Sequence, residues 1–487
     1  MLKPLAPADA QRLRDFLTEA KFTQETFREM PALRELPNYT GNLVFLLERT
    51  REPSLLNLLV RLFVTGVAQE KTTISRAIPE PVLRVMLESG MLAQEGDSVS
   101  PRVMLTPCDE HVFAADTAAR MRSEQSSDAV LWPNPTTRVL QLFSLRAPSR
   151  ATLDLGAGCG MLGVLAAAHS GRVVATDLNP RAEQFILFNA RLNRVDNIES
   201  LTGNTFEPVK DRQFDLILAN LPYFVTPTSG EMYCENSMEL DQYCRRVVRE
   251  AAQHLTEGGY FQATLEWVQV RGERWQDRLA GWLAGSGCDA WILRRYSRDA
   301  VAYAEERIRT TWPPEQAGAR LAEFMAYYRE REVEEVHGGL LAMRRRSGKS
   351  WLRIEEMAAD PTEPYGATVL TTFATQDILS AHPTDEELLA MKPRLSPAAQ
   401  LEQTLRVSGG KWATTSRRLR LTTGVPASLA VEAEVADFLS RCDGSRPLEE
   451  LTQELAAKVN AGADVVRQQC CAVVRKLAER RLLQIAR

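Results

Sequence analysis

Residues 152–160 read Thr152-Leu153-Asp154-Leu155-Gly156-Ala157-Gly158-Cys159-Gly160, and residues 220–223 read Asn220-Leu221-Pro222-Tyr223. The first stretch is a buried strand running into a glycine loop. Side chains at Gly156, Gly158 or Gly160 would keep a ligand away from the main chain, so this turn is built for close approach. Asp154 closes the strand and can hold a cationic group. A second strand, Val173-Val174-Ala175-Thr176, ends at Asp177, where an acid takes a ribose as a bidentate hydrogen-bond partner. The second stretch follows a third apolar run, Phe214–Ala219, and puts a carboxamide at its end.

Working outward, residues 146–350 alternate strands and helices as a doubly wound α/β sheet does. Strands are expected at Ala151–Leu155, Arg172–Thr176, Ile198–Leu201, Phe214–Ala219, Gly259–Leu265, Ala290–Arg294 and Gly339–Arg344. The last two would form an antiparallel edge pair, separated by a charged helical insertion at about 299–336. Residues 1–145 read as helical: one amphipathic helix carries Leu13, Phe16 and Leu17, and another Leu55, Leu58, Leu59, Leu62 and Phe63. Thr72–Ala77, a helix from Pro79 to Ser89 and a hairpin between Met91-Leu92 and Val99–Leu105 complete a winged-helix-like order. Residues 351–395, with Pro361, Pro364, Pro383 and Pro393, read as an extended linker. Residues 396–487 regain helical periodicity at Leu448–Val459 and Val465–Glu479, the latter capped by Asp464. Leu482–Ile485 is a candidate wing, so this tail too reads as winged-helix-like.

The chain has 487 residues, 44% hydrophobic and 25% charged, ordinary values for a globular protein with several cores. The longest apolar-rich run, Leu55–Val64, is interrupted by Asn57 and Arg61 and is too short to span a bilayer. No secretory leader is visible. Eight cysteines without a CxxC pair, and only five histidines, argue against a structural metal and for a reducing, cytoplasmic setting. Net charge is −4, yet residues 391–487 carry 16 Lys and Arg against 10 Asp and Glu, a net +6 that leaves −10 for the rest. A basic tail on an acidic body points to a polyanionic partner, with plain solvation of a helical surface as the alternative.

Gly158-x-Gly160-x-x-Gly163 also matches the dinucleotide fingerprint, which makes NAD the competing cofactor. Asp154, just ahead of the glycines, would sit unfavourably near a pyrophosphate. A hydride-transferring enzyme also has no use for Asn220-Leu221-Pro222-Tyr223.

Taken together, the glycine loop, Asp177-Leu178-Asn179-Pro180, Asn189-Ala190-Arg191-Leu192-Asn193 and Asn220-Leu221-Pro222-Tyr223 resemble the "small-domain" class I methyltransferases. That family includes release-factor glutamine methyltransferases and ribosomal-RNA guanine methyltransferases. The resemblance covers about 130–300 and neither flank, and it implies a seven-stranded sheet and S-adenosylmethionine as cofactor. It assigns the cofactor to Asp154, Gly156, Gly158, Gly160, Asp177, Asn204 and Asn220. Asn204 stands where the family usually has Asp against the adenine amine, and its carbonyl can accept the same bond. In Asn220-Leu221-Pro222-Tyr223, the Asn220 side-chain and Leu221 main-chain carbonyls would accept the two N–H groups of a planar nitrogen, and Tyr223 would offer a flat face. The family's usual form has Pro where Leu221 stands, as Leu does in the rRNA adenine dimethylases, while Phe224-Val225-Thr226-Pro227 is similar to the glutamine methyltransferases. Upstream, Trp132-Pro133-Asn134-Pro135-Thr136 resembles the segment covering the cofactor, with Asn134 and Thr136 replacing an arginine and a glutamate. Trp132, Tyr223 and Phe224 are the substrate-side candidates.

The expectation is an N-methyltransferase acting on a macromolecule, a nucleic-acid base ahead of a protein glutamine because of the flanking modules and the basic tail. Tailoring of a peptide natural product is a third reading, and a cofactor-holding regulator without turnover a fourth. Retention of Asn220, Pro222 and Tyr223 speaks against the regulator. The basic runs Arg344-Arg345-Arg346 and Arg417-Arg418-x-Arg420, the latter near Trp412, are candidate phosphate contacts. The first, on an expected edge strand, could instead blunt edge pairing.

Overall fold

The computed structural model describes residues 2–30, 33, 43–121, 126–227 and 238–486. Its centre is one sheet of eight strands: β1 (Ser149–Leu155), β2 (Ser170–Asp177), β3 (Ile198–Thr202), β4 (Phe214–Asn220), β5 (Leu255–Val270), β6 (Cys288–Asp299), β7 (Val333–Arg345) and β8 (Leu352–Glu356). The spatial order is β8-β6-β7-β5-β4-β1-β2-β3. Strands β3 to β5 run parallel through β2, β1 and β4, and β7 is antiparallel to both β5 and β6. Apolar runs such as Val173-Val174-Ala175 and Ile217-Leu218-Ala219 are fully buried, as a parallel sheet covered on both faces requires. Helices α1 (Met161–Ala166), α2 (Pro180–Leu192), α3 (Gln242–Gln253) and α4 (Trp275–Leu283) follow β1, β2, β4 and β5.

All seven expected strands are present, several of them longer. The eighth was not anticipated: β8 pairs parallel with β6 through Ala290↔Leu352 and Arg294↔Glu356. The β6–β7 pair is therefore not the sheet edge. Because β7 lies inside the sheet, Arg344 and Arg345 do not blunt an edge, and both are engaged by protein groups. Arg344 is buried with its guanidinium 2.6 Å from the buried Asp289, and Arg345 donates to the Ala252 carbonyl at 2.7 Å. Between β6 and β7 the insertion folds as α5 (Ala300–Thr311) and α6 (Ala317–Glu330), packed through Tyr303, Ile308, Phe324 and Tyr328.

In the N-terminal part, helices Leu55–Phe63, Lys71–Ala77 and Glu80–Glu88 precede the hairpin Leu92–Glu95/Ser98–Pro101, and Gln69–Glu70 pairs with Ser98–Val99. The expected single strand Val99–Leu105 is broken after Pro101, and Met104–Cys108 belongs to a second, buried hairpin with His111–Ala115. Asn189 of α2 and Asn193 at its C-cap hold that hairpin by mimicking a strand partner. Asn189 accepts from the Ala114 N–H at 2.7 Å and donates to its carbonyl at 2.9 Å, and Asn193 does the same for Val112 at 3.0 and 2.8 Å. Arg181 on α2 adds a bidentate pair to the buried Asp116 at 2.7 and 2.9 Å. These ties cross the boundary expected at 145/146, and Met1–Gln141 with Arg146–Glu356 forms one compact unit.

The second unit comprises Leu142–Leu145 and Met357–Arg487. The linker expected at 351–395 is ordered. After β8 come helices Gly366–Ala381 and Asp385–Leu389 and the strand Lys392–Leu395. Val369, Phe373 and Leu379 supply a buried helix face, a Thr384/Glu387 capping box starts the short helix, and the prolines punctuate these elements. A three-stranded sheet follows (Ala399–Ser408, Lys411–Leu421, Ser428–Ala430), then helices Ala433–Ser440, Leu448–Val459 and Ala463–Glu479. Gly462, not Asp464, is the N-cap of the last helix. The final strand Leu483–Ala486 pairs with Lys392–Leu395 rather than forming the hairpin of a wing. The seven described cysteines are free and buried. Among the described residues no helix is long and apolar enough to cross a membrane.

Candidate active site

The strand order reverses direction between β1 and β4, and the carboxyl ends of strands at such a switch point open a crevice. A cavity of about 470 Å³ lies there, lined among others by Trp132, Asp154, Gly156, Gly158, Asp177, Asn204, Asn220 and Pro222. Gly156 (φ 69°) and Gly158 (φ 55°) are left-handed, and a Cβ on either would point into open space. That empty cradle is what a flat ligand against the main chain requires. Gly160 serves differently: a Cβ there would meet Ile186 of α2 at 3.1 Å.

Asp154 is 1% exposed, and its carboxylate accepts the Gly163 N–H at 2.7 Å. Burial pushes its carboxyl up to about 7, opposed by the Gly163 N–H and reinforced by the charge of Asp177. A Cβ on Gly163 would lie 3.0 Å from the same carboxylate, so the third glycine of the fingerprint makes room for an acid. Asp177 accepts the Gly158 N–H at 2.7 Å and the Asn179 N–H at 2.8 Å, and burial likewise raises its pKa against those two bonds. Each oxygen keeps a lone-pair site for a hydroxyl. Asn204 is exposed in the turn after β3, and Trp132 packs partly against the N-terminal core.

At the end of β4, Asn220 is oriented by a chain of hydrogen bonds whose direction can be deduced. The Thr137 main-chain N–H donates to Asn134 Oδ1 at 2.8 Å, which fixes that atom as an oxygen. The Thr137 hydroxyl, 3.0 Å from the same oxygen, must then donate to it. Its lone pair therefore receives Asn220 Nδ2–H at 2.9 Å. Asn220 Oδ1 is left to accept from the Thr264 hydroxyl at 2.7 Å, with a second lone pair unused. That is the atom which would accept an N–H from a planar nitrogen. Asn134, Thr137 and Thr264 were not anticipated as positioning residues. The available signal was the alternation Gln262, Thr264, Glu266 inside a strand buried along its length, since a buried polar side chain needs a partner.

Glu266, two residues beyond Thr264 on β5, anchors the segment after Asn220. It is fully buried and accepts from the Tyr296 and Tyr303 hydroxyls, each at 2.5 Å. Burial raises its pKa, while Arg307 and the two phenols pull it down. The Tyr303 oxygen accepts the Val225 N–H at 3.2 Å, Tyr328 donates to the Val225 carbonyl at 2.7 Å, and the Arg307 guanidinium lies 4.0 Å from the Phe224 ring centre. Tyr223 is buried edge-on to Phe224 at 5.4 Å, and its phenol is pushed up to about 12, by burial first and Glu266 second. Leu221 and Tyr223 are buried in one apolar cluster, and Phe224 is partly buried against it. The insertion helices α5 and α6, whose role was open from sequence, supply Tyr303, Arg307 and Tyr328 to this support.

Residues 134–269 match the family described as "Methyltransferase small domain". The likeness is to methyltransferases, and it favours S-adenosylmethionine over NAD as the cofactor. Residues 371–484 match a domain of unknown function, DUF7782. The release factor glutamine methyltransferase of Aquifex aeolicus is 31% identical over 148 residues, covering 27% of this chain and 53% of that protein. The ribosomal protein uL3 glutamine methyltransferase of Bradyrhizobium diazoefficiens is 32% identical over 120 residues, covering 22% and 38%. The chain thus spans about half the length, or less, of these relatives. Among solved structures, M. jannaschii TYW2 in complex with AdoMet aligns over 52% of this chain and 92% of that one, at 16% identity and a TM-score of 0.31, too weak a likeness to bear on substrate.

Proposed function

We propose that this protein transfers a methyl group to the side-chain amide nitrogen of a glutamine in a protein substrate. The observation that carries the reading is the fixed orientation of Asn220, whose Oδ1 faces the cavity end of β4 with a lone pair to spare. When bound, S-adenosylmethionine supplies an electrophilic methyl on a sulfonium, so the protein need provide neither a nucleophile nor a metal. Asp154 would hold the ammonium group, Asp177 the ribose hydroxyls, Asn204 the adenine amine, and the Gly156–Gly158 turn the space between them. Asn220 Oδ1 and the Leu221 carbonyl would accept the two amide N–H bonds, turning the nitrogen lone pair toward the methyl group. The nitrogen would lose one proton to solvent as the methyl group is transferred and the sulfonium becomes a neutral thioether.

Glutamine is placed ahead of a nucleic-acid base because the relatives at about 30% identity include glutamine methyltransferases of two different translation proteins, and because Phe224-Val225-Thr226-Pro227 resembles the glutamine methyltransferases. A base remains the second reading: the tRNA (guanine(37)-N(1))-methyltransferase Trm5b of Pyrococcus abyssi is 29% identical over 92 residues, 19% of this chain and 27% of that one. The test is incubation of the full chain with methyl-labelled donor and a cell lysate, followed by separate protease and nuclease digestion. Label released by protease alone supports glutamine; label released by nuclease moves the proposal to a base.

A further inference from the structure

The second unit carries a hairpin arm, Ala399–Leu421, whose side chains stand largely in solvent. Its two strands are 10 and 11 residues long, so it extends roughly 30 Å. Residues 401–413 are all exposed, and Ala399–Ser408 is an edge strand paired only with Lys411–Leu421. The register puts Leu401↔Leu419, Gln403↔Arg417, Leu405↔Thr414 and Val407↔Trp412 on one face, on which Leu405 is 48%, Val407 55% and Trp412 72% exposed. The tip is Gly409-Gly410, both at positive φ, so the turn has bare backbone. Within the arm stand Arg406, Lys411, Arg417, Arg418 and Arg420 against the single acid Glu402, a net +4. Glu402 is taken by Arg420 at 2.5 Å, and Arg418 reaches Ser428 at 3.3 Å. Arg406, Lys411 and Arg417 have no partner among the described residues.

We propose that this arm binds single-stranded nucleic acid, with phosphates on Arg406, Lys411 and Arg417 and a base stacked on Trp412. An open edge with exposed aliphatic side chains invites a partner, and the bulge at Thr404/Leu405 with the charges of Glu402 and Arg406 disfavours another β-strand there. The charge selects the occupant. Edge-to-edge pairing of two copies would bring two +4 arms together, whereas a phosphate chain neutralises them and releases counterions. Trp412 shares its face with Arg417, while Arg406 and Lys411 stand on the other face beside the tip, so a strand crossing the arm near the tip can stack a base on the ring and set its phosphates on cations of both faces. The proposal is independent of which atom the active site methylates.

The test uses the full chain and fluorescence anisotropy with mixed-sequence single-stranded RNA and single-stranded DNA of the same sequence, the two sources of this chemistry. Binding should weaken with salt at a log–log slope of about −2 to −3, as three or four phosphate contacts on a single strand give. Trp412→Ala should weaken binding roughly tenfold at unchanged slope. Arg406→Gln with Lys411→Gln should flatten the slope by about 1.4. Both variants should leave S-adenosylmethionine affinity and circular dichroism unchanged. A preference for RNA or for DNA names the source. The proposal fails if neither probe binds at low salt, or if the variants bind like wild type. Tighter arm-dependent binding of polyglutamate, or an arm-dependent dimer in sedimentation, would overturn it in favour of an acidic protein or a second copy.

Discussion

The segment Asn220–Val225 and the arm Ala399–Leu421 both carry the polar and aromatic side chains expected of functional residues, and they are built in opposite ways. Around Asn220–Val225, side chains from the helix Pro135–Phe143, from β5 and from the insertion helices tie down a side chain or a main-chain group at Asn220, Phe224 and Val225. Along the arm, residues 401–410 are exposed without a break and three cations have no partner among the described residues. On the two proposals made above, the difference reflects what each must recognise. Aiming a lone pair at a methyl carbon fails with a small misplacement, so the supporting groups are buried and mutually fixed. A flexible polyanion conforms to the charges it meets, and fixing them would gain little.

The sharpest way to break this comparison is at its fixed end. Asn220→Ala should lower turnover on the true acceptor by on the order of a hundredfold or more, as loss of a preorganised transition-state contact does. Donor affinity should fall far less, because Asp154 and Asp177 remain. Near-normal turnover at saturating donor would mean that Asn220 does not aim the acceptor.

Asp177→Ala comes next. Bonds from hydroxyls to a carboxylate are worth about 1.5–3 kcal/mol each, so S-adenosylmethionine should bind at least roughly tenfold more weakly in calorimetry, with the fold intact. Unchanged affinity would take Asp177 out of the cofactor site.

Thr264→Val tests whether fixing Asn220 matters as much as having it. Deleting one neutral hydrogen bond of about 1 kcal/mol predicts a fall in kcat of roughly fivefold at constant donor Kd, with Thr264→Ser restoring it. A parallel loss of donor affinity would assign Thr264 a merely structural role. Asn134→Ala should act in the same direction through Thr137.

The smallest effect expected is a pH dependence. Burial holds the Asp154 carboxyl at about 7 in the free protein, and an ammonium partner favours the ionised form. Donor affinity should therefore rise as pH increases through that value, by about threefold from half a unit below it to half a unit above. Asp154→Asn should remove the dependence. The sign for stability without donor is opposite: a carboxyl raised above its unfolded value holds its proton longer in the folded state. That contribution is present at low pH and is lost as pH rises toward about 7.

How much of this was legible in the sequence depended on range. Asp154, Asp177 and Asn220 each end an apolar strand and announce themselves within a few residues. Their supports do not: Thr137 and Thr264 lie 83 and 44 residues from Asn220, and only the fold brings them together. Arg344 looked like surface because charged residues usually are, and Asp289, 55 residues away, is what lets it be buried. Strand β8, with charges at Arg353, Glu355 and Glu356 ahead of Pro361 and Pro364, resembled linker until β6 paired with it. The arm's composition was visible around Trp412 and Arg417-Arg418-x-Arg420, but its exposure depends on what does not pack against it, which no local pattern encodes.

The central claim is that the acceptor is a planar nitrogen, and the most direct measurement is to locate the transferred methyl group. Protein labelled by the full chain in a lysate would be digested completely to amino acids and the labelled product identified by mass spectrometry. The account predicts methyl on the side-chain nitrogen of glutamine, absent when the enzyme carries Asn220→Ala. Methyl found on a carbon, oxygen or sulfur atom, or transfer undiminished by that substitution, would contradict it.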